Sequence, residues 1–146
     1  MSDVRDSDRV TFNGDGKFDF QLKRALVDEL AFAHLLLDGK VEHKCERYQP
    51  WDFGNLCIET ARGGRPSGLA VTEASLWAHE LRYNEETVAT LLIPVPVLRK
   101  LVSYFENDPA RDNRFRGGGD GGLSEGVKIP IGPLRHWGRI AGGARA

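Results

Sequence analysis

Residues 38–46, Asp38-Gly39-Lys40-Val41-Glu42-His43-Lys44-Cys45-Glu46, decide how the whole chain is read. A helix-length segment leads into them and strand-like segments follow. Asp38-Gly39 stops the helix and turns the chain, and residues 41–47 read as a strand. Residues two apart in a strand project to one side, so the Glu42 carboxylate and the Lys44 ammonium enter a cleft together. A carboxylate can hold a divalent metal, while a neighbouring ammonium can orient a water or offset charge developing on a phosphate. Alone the triplet is common: on a solvated strand face, Glu-x-Lys is a charge pair contributing about 0.2–1 kcal/mol. Its surroundings decide between the two readings.

Upstream, residues 1–17 are polar and read as a flexible lead to a single domain over 18–146. Residues 19–37 read as a helix capped by Asp19. Leu22, Leu26, Leu30, Ala33 and Leu37 recur at steps of three and four and form one apolar stripe. Glu29 lies on or beside that stripe. It either finds a partner or a metal, or flanks the stripe and reaches water.

Downstream, residues 55–61 read as a second strand, with Leu56 and Ile58 on its apolar face. If that face and the less polar face of the first strand (Val41, His43, Cys45) both pack on the helix, Glu59 shares a side with Glu42 and Lys44. Arg62 and Arg65 sit in a Gly-rich turn that either tracks a phosphate backbone or is a solvated hairpin loop. Segments 75–81 and 87–93 form a hairpin around Tyr83-Asn84-Glu85-Glu86. A helix over 96–107 buries Val97, Leu98, Leu101, Val102 and Phe105. The glycines of 111–126 predict a mobile loop, residues 127–131 a last strand, and 134–137 a closing turn. Trp77 reads as core, His79 as a strand residue near it, and Trp51 as a candidate substrate contact.

The chain has 146 residues, 40% hydrophobic and 28% charged, with a formal net charge of −1. These values fit an ordinary globular protein and exclude one that coats nucleic acid through bulk charge. Two cysteines make neither a disulfide framework nor a zinc site, and no signal peptide or membrane span is read, so the cytosol is the expected location. Candidate phosphate contacts are Arg111, Arg114 and Arg116, then Arg135, Arg139 and Arg145.

The order helix, strands, helix, strand around Glu42-x-Lys44 resembles the PD-(D/E)xK, or restriction-endonuclease-like, superfamily. The run VEHKCERYQPWDFGNLCIET, followed by GRPSGLAVTEASLWAHEL, is similar to a branch of small phage and prophage nucleases. Their pattern is an E-x-K strand, then GN-x-x-(I/V)-E, then PSG-(I/L)-A-x-T-x-A, then a Trp-containing strand. The resemblance implies an α/β fold with an α-β-β-β-α-β core, its central mixed sheet flanked by helices. It implies Mg²⁺- or Mn²⁺-dependent phosphodiester hydrolysis on DNA, of endonuclease or Holliday-junction-resolvase type, in a phage or bacterial host cytosol, by a homodimer if both strands are cut.

By position, Glu42 and Lys44 match E-x-K, Glu29 matches the Glu that many members add on the first helix, and Glu59 matches the Glu of the GN string. The metal set implied is Glu29, Asp38, Glu42 and the His43 backbone carbonyl. Arg62, Arg65, Ser67, Thr72, Arg114 and Arg116 are the implied nucleic-acid contacts, although Ser67 and Thr72 can equally cap a turn. Superfamily members usually carry the first Asp on the strand before E-x-K. Here Asp38 stands four residues ahead of Glu42, too near for a hairpin, so Asp38 reaches the metal from the turn or Glu29 or Glu59 replaces it. The alternative is a catalytically inactive nucleic-acid-binding or assembly protein with the same fold.

Overall fold

The computed structural model describes residues 17–47, 54–117, 121–132 and 134–142. Residues 1–16 of the expected 1–17 lead, Trp51 and Arg145 lie outside the described residues, as do the side chains of Asp38 and Arg135. The chain divides into two compact units, Met1–Leu37 and Asp38–Ala146.

Helix α1 (Lys17–Asp38) covers the predicted helix but starts two residues earlier, so Lys17 of the expected lead is helical and Asp19 lies inside the first turn and is not the cap. Its apolar stripe is not a buried one: Leu26, Leu30 and Leu37 are exposed, as are Val27, Phe32 and Leu36 outside the stripe. Apolar residues on several sides leave this helix without the single apolar face that the stripe alone suggests.

The second unit is mixed α/β. Its order is β1 (Val41–Arg47), β2 (Asn55–Arg62), β3 (Arg65–Pro66), a 3₁₀ turn (Gly68–Ala70), β4 (Leu76–Tyr83), β5 (Glu86–Pro94), α2 (Val95–Glu106), β6 (Arg114–Arg116), β7 (Ser124–Pro130) and α3 (Leu134–Ala141). The strands form two sheets where one central sheet was expected. The first is mixed, in the order β1-β4-β5, and the second runs β3-β2-β7-β6. β1 pairs parallel with β4, from Val41↔Leu76 to Arg47↔Arg82. β4 and β5 form the predicted antiparallel hairpin. Its turn residues Asn84 and Glu85 both have positive φ, 48° and 66°, the type I′ geometry that matches strand twist. β1 and β2 are not ladder neighbours, because β3 and β7 occupy both edges of β2.

The core lies between the sheets and α2. β2 alternates as its sequence suggests, with Leu56 and Ile58 fully buried, and β7 adds Val127 and Ile129. Trp77, Leu81 and Ile93 come from the mixed sheet, and Leu98, Leu101, Val102 and Phe105 from one face of α2. Val97 of the predicted helix face is only half-buried. Trp137 of α3 closes one end, its indole N–H donating to the Pro130 carbonyl at 3.2 Å.

The two flanks of the Gly-rich segment, residues 114–116 and 124–126, are strands and not loop. β6 pairs with β7 as Phe115↔Gly126 and Arg116↔Glu125, and the Phe115 ring and the Ile58 carbonyl fill the space that a Cβ on Gly126 would need. β7 therefore begins three residues before the predicted strand.

Candidate functional site

Alternation along β1 divides its side chains, but the sides are reversed from the hydropathic expectation. Val41 is 47% exposed, the His43 side chain 58%, and Cys45 is exposed. Glu42, Lys44 and Glu46 are the half-buried set. The reason is local: each inward charge meets a built partner.

Glu42 Oε1 lies 2.9 Å from Lys44 Nζ. Its other oxygen, Oε2, accepts from the Thr72 hydroxyl at 3.3 Å, and that hydroxyl is oriented by the Ala74 N–H, which donates to it at 3.2 Å. The Lys44 ammonium stands 5.9 Å from the Trp77 ring centroid, within cation–π range. These groups line an open cleft of about 580 Å³, with Ser67, Gly68 and Thr72 in its wall and Lys40 and Glu73 beside them. Lys40 and Glu73 pair at 3.4 Å, both largely exposed.

Glu59 of β2 stands behind that wall. Ser67 donates to its Oε1 at 2.6 Å and Ser124 of β7 to its Oε2 at 2.7 Å. Burial pushes the Glu59 carboxyl up, but the Ser67 and Ser124 hydroxyls and the positive charges of Lys44 and Arg62 outweigh it and hold the group below its ordinary value. Glu59 is thus a fixed negative charge within the field of Lys44. Among the described residues, Glu42 and Lys44 line the cleft together while Glu59 does not, meeting its wall only through Ser67, and the two strands belong to different sheets.

Glu46 continues the inward side, and hydropathy gave no reason to single it out. Its Oε1 accepts from the Cys57 backbone N–H at 2.5 Å. Its Oε2 lies 3.3 Å from Nε2 of His79; the two atoms are not aligned as a hydrogen bond, and neither has a hydrogen-bond partner. His79 is 1% exposed and accepts the Trp77 indole N–H on Nδ1 at 3.0 Å. Burial, with the Glu46 carboxylate beside it, pushes the Cys57 thiol up to about 12, against an opposing pull from Lys128.

On the outer face of the mixed sheet, Glu80 accepts from Thr87 at 2.5 Å and Arg82 at 2.8 Å, and pairs with His43 Nε2 at 2.7 Å. These bonds draw its carboxyl down to about 2. The His43 side chain is therefore turned away from the cleft.

Of the other expected site residues, Glu29 belongs to the first unit and is exposed, and Asp38 ends α1. Arg62 and Arg65 face each other at the tip of the β2–β3 turn, both exposed. Arg114 and Arg116 do not join the Glu42 cleft. They line a separate cleft of about 550 Å³, where Arg114 pairs with Glu106 at 3.5 Å and Arg116 with Glu125 at 2.8 Å. Among the described residues, no group of three or more His, Cys, Asp or Glu side chains can hold a metal ion. A donor set of one carboxylate and a backbone carbonyl suits Mg²⁺ completed by waters and substrate phosphate, not a closed protein cage. No helix among the described residues is long and apolar enough to cross a membrane.

No family model, no curated protein and no solved structure matches the chain.

Proposed function

We propose that the second unit is a metal-dependent nuclease of the restriction-endonuclease-like type, hydrolysing phosphodiester bonds in DNA in the Glu42–Lys44 cleft. The observation that carries this reading is the joining of Glu42 and Lys44 to Thr72 and Ser67 in one open cleft, with Glu59 fixed behind it. Glu42 and the His43 carbonyl would hold Mg²⁺ or Mn²⁺. A bound ion of this kind polarises the phosphodiester and acidifies its own water.

Lys44 orients the attacking water or offsets charge on the phosphate. Thr72 Oγ1, held by the Ala74 N–H, donates to Glu42 and orients its carboxylate in the cleft. Glu59, with both oxygens taken by serine hydroxyls, acts as a positioning residue that fixes Ser67 in the cleft wall.

The test is incubation with plasmid, branched and single-stranded DNA, and with RNA, in Mg²⁺, Mn²⁺ or EDTA. Metal-dependent cleavage is expected, with Lys44→Ala and Glu42→Gln each losing at least about 100-fold. Lys44→Ala changes stability by less than about 1 kcal/mol, since its ion pair is partly solvated. Absence of cleavage under every metal condition, in protein shown to be folded, overturns the reading in favour of a binding or assembly protein.

A further inference from the structure

A second groove, of about 460 Å³, runs beside α2 and α3 and is lined by Arg99, Lys100, Ser103, Tyr104 and Ile140. Among the described residues its lining has two cations and two hydroxyls and no carboxylate, while Glu106 lies in an adjoining pocket that shares Arg99 and Ser103. The positions follow from helical spacing: residues 99, 100, 103 and 104 share the side of α2 opposite Leu98, Leu101, Val102 and Phe105. The two charges are tied to backbone oxygens. Arg99 Nη2 donates to the Thr72 carbonyl at 2.9 Å, and Lys100 Nζ to the Ala141 carbonyl at 2.7 Å. A carbonyl positions a cation but leaves its charge in place.

Thr72 links this groove to the cleft. Its carbonyl holds Arg99, and its hydroxyl bonds Glu42. Tyr104 adds an aromatic surface, 48% exposed, its ring braced edge-on against Phe105 at 5.2 Å between centroids. Cations spaced along a helix face, with an exposed ring beside them, suit a phosphodiester chain whose bases stack in passing. Since the chain's net charge is −1, attraction of this kind is local to such a face.

We infer that the Arg99–Lys100–Tyr104 groove binds the nucleic-acid strand flanking the phosphate held in the cleft. This rests on the nuclease reading for its substrate class, but it is measured without hydrolysis. Lys100 also caps the C-terminal end of α3, a structural role that Lys100→Gln would disturb on its own. Ser103→Glu keeps both cations and instead sets a carboxylate four residues after Arg99 and three after Lys100, where it offsets their charge.

The experiment is fluorescence anisotropy of labelled DNA and RNA oligonucleotides of one sequence, in EDTA, across a salt series. The proteins are wild type, Ser103→Glu, Arg99→Gln/Lys100→Gln and Lys44→Ala. Ser103→Glu and the double variant are expected to bind at least about tenfold more weakly. The double variant should also lose about 1.5–2 from the slope of log K against log salt, the signature of two lost phosphate contacts. Lys44→Ala, which removes one cation from the cleft, should lose about half as much slope as the double variant.

Unchanged affinity in Ser103→Glu overturns the inference, and so does polyglutamate competing as well as DNA at equal charge. Cleavage by wild type with groove-independent binding removes this proposal alone. Groove-dependent binding without cleavage removes the hydrolytic reading alone.

Discussion

Replacing Gly68 by alanine tests whether the cleft wall depends on close backbone approach. Gly68 has φ +52°, and a Cβ there would lie 2.5 Å from the Glu59 carbonyl oxygen and 3.2 Å from the Glu59 Cβ. Two terms add. The left-handed conformation costs a non-glycine residue about 1–2 kcal/mol. Relieving the overlap means moving either the 3₁₀ turn or β2, and forced overpacking costs about 1–3 kcal/mol. Gly64 separates the terms, because it has φ +74° with nothing within 4 Å of its Cβ position. Gly64→Ala should therefore lose about 1–2 kcal/mol and Gly68→Ala about 2–5 kcal/mol. At about 4 °C per kcal/mol for a domain near 100 residues, the melting temperature of Gly68→Ala falls by about 8–20 °C. Thermal and urea unfolding of wild type and both variants, followed by circular dichroism, give the comparison. Equal losses in the two variants would show that the turn yields freely and that the Ser67–Glu59 wall does not rest on this contact.

Other consequences follow from the same geometry. With its thiol at about 12, Cys57 should react with a disulfide reagent at pH 8 about 10³-fold more slowly than an ordinary thiol, measured in a Cys45→Ser background. Glu46→Gln removes a negative neighbour and should speed that reaction; native-state reactivity within tenfold of the unfolded chain contradicts the burial argument. Glu59 is depressed in the folded state, so its contribution to stability is present above its unfolded value of about 4.5 and is lost as pH falls through the lower folded value. Ser67→Ala and Ser124→Ala should each be most destabilising relative to wild type above that range and converge toward wild type below it. A stability difference that stays flat with pH in urea titrations would remove Glu59 as the cause.

Local patterns carried most of what was legible. The β4–β5 hairpin follows from its apolar runs and polar turn, and α2 from the spacing of Leu98, Leu101, Val102 and Phe105. Pairing of β1 with β4 was not legible, because parallel neighbours far apart in sequence share no turn whose chemistry announces them. β6 was hidden for a related reason. Its three residues gain their order from the Phe115–Gly126 contact and the Arg116–Glu125 pair, which only the fold supplies. Arg99, Lys100, Ser103 and Tyr104 are legible as the polar side of α2, but helical spacing alone gives a polar side no role.

The failure on β1 is the more instructive one. Hydropathy assigns Val41, His43 and Cys45 to the interior, yet the inward set is Glu42, Lys44 and Glu46, the last with only 10% of its side chain exposed. Turning charges inward opposes the hydrophobic term, which is worth about 1.5–3 kcal/mol for a residue such as valine. It persists only where each charge is met, as Lys44 and Thr72 meet Glu42 and the Cys57 N–H meets Glu46. Glu46 Oε2 and His79 Nε2 remain without a hydrogen bond, so the compensation is incomplete beside the cleft. A strand that breaks the local rule in this way, with its polar side built into a cleft, has the character of a functional element rather than a packing one. Glu59, placed with Glu42 and Lys44 on the expectation of a β1–β2 pairing that does not exist, instead meets the cleft wall through Ser67 and is anchored to β7 through Ser124.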